Sequence, residues 1–129
     1  MSIFFNLMSG VRQGGVLFAS LFAIYVDDIA KKIILRVIGC HMSFICTDIF
    51  LYADELFLNE PSIHTLQIML NICETELSWL DMRINVTKSV CMRFGQRFSI
   101  QCANLITDSG DELKWVEECR YLGVYLVSA

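Results

Sequence analysis

A chain of 129 residues accommodates one domain around one core, and 55% hydrophobic against 19% charged residues excludes a disordered chain. Ten Lys and Arg against fourteen Asp and Glu give a net charge of -4, the wrong sign for a free-standing nucleic-acid binder, which presents a basic face. That balance leaves room for an acidic, metal-binding centre inside a larger assembly whose basic surfaces lie elsewhere.

At the N-terminus, Met1-Ser2-Ile3-Phe4-Phe5 has no basic region before its apolar residues and no small-residue cleavage site. No signal peptide is read there, and an intracellular protein is expected. After Gly14-Gly15, Phe18, Leu21, Phe22, Tyr25, Ile29 and Ile33 recur at helical spacing, while Asp27 and Asp28 precede Lys31 and Lys32 by four. The pattern predicts an amphipathic helix, with Gly39 ending or following it. Mean hydropathy is +0.53, which raises the question of a membrane span. The longest uncharged run, Gln13 to Val26, has fourteen residues, where a bilayer needs about 20. That length predicts a buried helix instead.

Ser43 to Tyr52 is rich in β-branched and aromatic residues and reads as a strand, with a second short apolar run at Leu56-Phe57-Leu58. Between them Ala53-Asp54-Glu55 predicts a hairpin whose tight turn carries carboxylates. Pro61 suits a first helical turn, and Leu66, Met69, Leu70, Cys73, Leu77 and Leu80 form one stripe, predicting a second helix over Ser62 to Met82. Ser89 to Phe94, Phe98 to Cys102, Leu113 to Val116 and Tyr121 to Val127 read as short strands, with a turn at Ser109-Gly110. No repeat, low-complexity tract or proline-rich linker marks a domain boundary. The expected class is α+β, with two main helices packed on one face of an antiparallel sheet.

Cys40, Cys46, Cys73, Cys91, Cys102 and Cys119 contain no C-x-x-C pair and are read as reduced core residues. A zinc site from Cys40, His41 and Cys46 is set aside, because adjacent Cys and His fit no common knuckle. The acidic turn is the sharpest feature. A strand-turn-strand tip presents Asp54 and Glu55 where a hard divalent cation can reach them, and magnesium is commonly held by one or two carboxylates plus substrate phosphates. Taken alone, an acidic pair in a hairpin turn is far more often simply a solvated turn. In Gly10-Val11-Arg12-Gln13-Gly14-Gly15-Val16-Leu17, glycines allow close backbone approach to a ligand, Arg12 can contact phosphate or base, and Gln13 can bond sugar or base. The alternative is a loop feeding a helix.

Taken together, Gly10 to Leu17, Leu21 to Asp28 and Leu51-Tyr52-Ala53-Asp54 resemble the second and third palm motifs of reverse transcriptases from non-long-terminal-repeat (LINE-like) retrotransposons. Ile84-Asn85 through Lys88-Ser89 is similar to the motif after the palm's second helix, and Arg120-Tyr121-Leu122-Gly123-Val124 to the turn near the primer grip. Four motifs in one order cover nearly the whole chain. The resemblance implies an RNA-directed DNA polymerase that extends a DNA primer on an RNA template with deoxynucleoside triphosphates and two magnesium ions. It implies Asp54 as a metal ligand with Glu55 beside it as the catalytic pair. Arg12, Gln13, Gly14 and Gly15 would line the template and nucleotide site, Lys88 would lie near the nucleotide phosphates, and Tyr121, Leu122 and Gly123 would form a primer-grip-like turn. For Lys88 a solvated charge is the open alternative, and for Tyr121 to Gly123 an ordinary strand and turn.

Three departures from the family pattern shape the expectation. Glu55 stands where the family has a second aspartate, moving the charge by roughly 1.5 Å. Phe18-Ala19 stands where serine and proline are usual, at the start of the helix. The first palm motif, with its own metal-binding aspartate, belongs upstream of Gly10, where nine residues stand. Residues 1-129 are therefore expected to form a partial palm domain without fingers, first motif or thumb, inactive alone. Two alternatives remain: a non-enzymatic retroelement relic acting as a protein-interaction module, and a peripheral membrane protein, which the acidic residues on both helices disfavour.

Overall fold

The computed structural model describes residues 16–35, 41–42, 45–46, 49–95 and 102–128. The first helix, α1 (Val16–Leu35), turns Phe22, Val26, Ile29 and Ile33 inward. Phe22, Ile29 and Ile33 fall on the expected stripe and Val26 joins them, whereas Leu21 and Tyr25, also expected on it, are 45% and 56% exposed. Steps of four, three and four keep the buried residues on one face of a 3.6-residue helix. Lys31 pairs with Asp27 one turn back and lies 3.7 Å from Asp28. Asp27 holds the Lys31 ammonium's pKa above its usual value. Lys32 does not complete the second expected pair; it reaches Glu76 on the next helix at 2.5 Å. The expected stop at Gly39 lies outside the described residues.

Two-residue strands β1 (His41–Met42) and β2 (Ile45–Cys46) pair antiparallel. The expected hairpin follows as β3 (Ile49–Tyr52) and β4 (Glu55–Leu58), joined by Ala53-Asp54. Its register puts Ile49 opposite Leu58 and Leu51 opposite Leu56, and these four pack against the helices. Because strand side chains alternate faces, the pairs Phe50–Phe57 and Tyr52–Glu55 face the other way.

Helix α2 (Ile63–Trp79) starts after Pro61 rather than with it. Ser62 is the N-cap, its hydroxyl accepting from Thr65 N–H at 3.4 Å. The helix also ends before Met82, at the C-cap Leu80. Met69, Ile72 and Cys73 join Val26, Ile29 and Ile33 in one core cluster, while Leu70 enters a second with Cys91, Leu105 and Leu113. One helix thus serves two cores.

Beyond α2, β5 (Val90–Cys91) and β6 (Lys114–Trp115) pair in parallel, and an antiparallel bridge between Ile106 and Glu112 closes the expected Ser109-Gly110 turn. The stretch expected as one strand from Tyr121 to Val127 is a hairpin: β7 (Glu118–Tyr121) and β8 (Val124–Val127) pair across Leu122-Gly123. Of the expected strand Phe98 to Cys102, residues 98–101 lie outside the described set. The architecture is α+β, with the sheet divided into two-stranded pieces. Among the described residues no helix is long and apolar enough to cross a membrane.

Candidate functional site

The β3–β4 turn places Asp54 at its tip and Glu55 at the first position of β4, opposite Tyr52. Ala53 has φ 50°, the left-handed backbone that primed hairpin turns require and that glycine or asparagine usually fills. The strand twist therefore dictates the turn and tolerates a strained alanine there. Both carboxylates are exposed, and among the described residues neither forms a hydrogen bond or ion pair.

Below this hairpin lie α1 and α2, and on its outer face lies the β7–β8 hairpin. Phe50 meets Phe57 edge-on with centroids 5.8 Å apart, and Phe57 meets Tyr121 at 5.4 Å. This aromatic row brings Tyr121 to the face that carries Glu55. Burial first, and the Glu55 charge second, push the Tyr121 phenol above its ordinary pKa. At the next turn Leu122 (φ 47°) and Gly123 (φ 81°) both take positive φ, as a type I′ hairpin demands. The structure thus gathers two of the expected pieces, Asp54-Glu55 and Tyr121-Leu122-Gly123.

Lys88 is exposed on a separate turn built by Asn85, whose Oδ1 accepts from Thr87 N–H at 3.2 Å, Thr87 Oγ1 at 2.7 Å and Lys88 N–H at 3.3 Å. Such an Asx turn fixes where Lys88 leaves the backbone. Arg12, Gln13, Gly14 and Gly15 lie outside the described residues. A groove of about 420 Å³ between the helices is lined by Lys32, Leu35, Ile68, Ile72 and Glu76 among others and carries none of the candidate residues. Phe57 is the residue the sequence reading missed. Its signal was alternation along β4, which places it two positions from Glu55 on one face.

Among the described residues no group of three or more His, Cys, Asp or Glu side chains is gathered as a metal site. Asp54 and Glu55 alone fit the part of a magnesium shell that protein supplies, two hard oxygen ligands without competing cations, with water and substrate phosphates completing it. A family model described as reverse transcriptase (RNA-dependent DNA polymerase) matches residues 3–126, and the chain belongs to that family. No curated protein and no solved structure gives a significant match.

Proposed function

We propose that this chain is the palm segment of a reverse transcriptase from a non-long-terminal-repeat retrotransposon, acting inside the cell on an RNA template, a DNA primer and deoxynucleoside triphosphates. The observation that carries the reading is the exposed, unpartnered Asp54-Glu55 pair on a hairpin tip packed between two helices and Tyr121. In this reading Asp54 and Glu55 hold the metal, and Arg12, Gln13, Gly14 and Gly15 contact template and nucleotide. Lys88 neutralises nucleotide phosphate, and Tyr121 to Gly123 flank the primer. Magnesium, when bound, supplies activation of the primer hydroxyl and stabilisation of the leaving pyrophosphate.

The isolated 129-residue chain is proposed to be inactive, because two adjacent carboxylates from one turn cannot surround a metal pair without the further aspartate of the first palm motif. Primer extension on an RNA template in the presence of magnesium tests this. A chain extended upstream through a strand bearing that aspartate is expected to extend the primer, and Asp54→Asn in the longer chain to abolish extension while leaving its melting temperature unchanged. Extension by the 129-residue chain alone overturns the proposed inactivity. A folded but silent longer chain overturns the polymerase reading.

A second reading, a protein-interaction module, is favoured by the apolar surface of α1, where Ile24, Tyr25 and Leu35 are 66%, 56% and 78% exposed. It gains ground if the longer chain folds and yet extends nothing.

A further inference from the structure

Three side-chain polar atoms among the described residues are shielded from solvent and without a hydrogen-bond partner: Glu60 Oε2, Trp115 Nε1 and Tyr121 Oη. Glu60 already uses its other oxygen, which accepts from Ser62 N–H at 3.2 Å. Trp115 lies under the Arg93 guanidinium, 6.0 Å from the ring centroid. Tyr121 is the one that stands beside the candidate site. A buried hydroxyl left without a partner calls for a reason.

Strand alternation puts Glu55 and Phe57 on one face of β4, and the Tyr121 ring lies 5.4 Å from Phe57 on that face. The Glu55 charge reaches the phenol. Glu55 is itself exposed and unbonded, so its carboxylate can turn toward a donor. A glutamate also has one more rotatable bond than an aspartate, and a ligand that swings freely is poorly placed for a metal. A hydrogen bond to a ligating carboxylate orients it.

We propose that Tyr121 is a positioning residue for Glu55: its hydroxyl donates a hydrogen bond to the Glu55 carboxylate and holds it in place for a divalent cation shared with Asp54. The contact needs only a rotation of the exposed Glu55 side chain within the observed fold. The cation it serves rests on the metal-site reading above. It also ties the β7–β8 hairpin to the acidic turn.

Two measurements on the 129-residue chain separate these parts. Urea unfolding midpoints are compared without metal for the parent, Tyr121→Phe, Glu55→Ala and the double variant. Tyr121→Phe is expected to lower the midpoint in the parent and to leave it unmoved once Glu55 is alanine; additive shifts overturn the proposal. Mn2+ binding is then titrated by electron paramagnetic resonance. Tyr121→Phe is expected to weaken binding about tenfold, whereas in a Glu55→Asp background, with the carboxylate drawn back by roughly 1.5 Å, the same change is expected to do nothing. Undiminished affinity in Tyr121→Phe overturns the positioning role. Non-additive midpoints with no Mn2+ binding by the parent overturn the cation-holding part for this chain while leaving the Tyr121–Glu55 contact standing, and the metal-site reading is then decided by primer extension with the upstream-extended chain.

Discussion

Asp81 takes left-handed backbone, φ 55°, one residue past the C-cap of α2. Met82 N–H donates to the Leu77 carbonyl at 2.9 Å and Asp81 N–H to that of Ser78 at 3.2 Å, the paired bonds of a Schellman closure. Glycine fills that position without steric penalty, and an aspartate adds negative charge at the negative end of the helix dipole. Asp81→Gly is expected to stabilise the fold by about 1 kcal/mol, read as a higher melting temperature by circular dichroism. An unchanged or lower one would show that the aspartate has a compensating contact. Of the described non-glycine residues with positive φ, the other two are Ala53 and Leu122, in the turns of the two hairpins that meet at Phe57 and Tyr121. Strain of this kind collects where a site must be held in one shape.

At the scale of elements, both helices were legible in the sequence because their apolar spacing survives any choice of neighbours. The hairpin was legible because two apolar runs flank a short acidic turn. The turn at Leu122-Gly123 was legible only through the family resemblance, which placed a turn at Tyr121 to Gly123, whereas apolar patterning alone read Tyr121 to Val127 as one strand. The parallel pairing of Val90 with Lys114 depends on contacts far apart in the chain, and so does the meeting of Tyr121 with Phe57. For the site, the carboxylate pair could be read directly, whereas the aromatic wall beside it could not. Helix α2 carries the largest share of the packing, with Met69 fully buried against α1. Met69→Ala is expected to cost about 2–5 kcal/mol, measured by urea unfolding. A loss below about 1 kcal/mol would mean that the seam between the helices collapses to refill the space.

For the molecule as a whole, the link between α2 and the 105–113 segment makes stability depend on pH. Gln67 bonds both backbone groups of Ile106, at 2.7 Å and 2.9 Å, and the Glu74 carboxylate accepts from Asp108 N–H at 3.1 Å and 3.0 Å. Burial raises the Glu74 pKa above its ordinary value; the Asp108 amide opposes that rise, and the Asp108 charge adds to it. The folded state therefore keeps the Glu74 proton to higher pH than the unfolded chain does. Between the ordinary glutamate value, about 4.3, and the raised one, the folded form binds more protons, so stability falls as pH rises through that window and the effect levels off above it. A net charge of -4 adds general repulsion at neutral pH, which a single neutral substitution moves only slightly. Glu74→Gln keeps an acceptor for the Asp108 amide and removes the titration. Its urea midpoint, relative to the parent's, is expected to climb as pH rises from the ordinary glutamate value, about 4.3, and to stay level once the raised pKa is passed. A difference that is constant across that range, or that runs the other way, would show that the amide bonds outweigh burial and that Glu74 is a stabilising carboxylate.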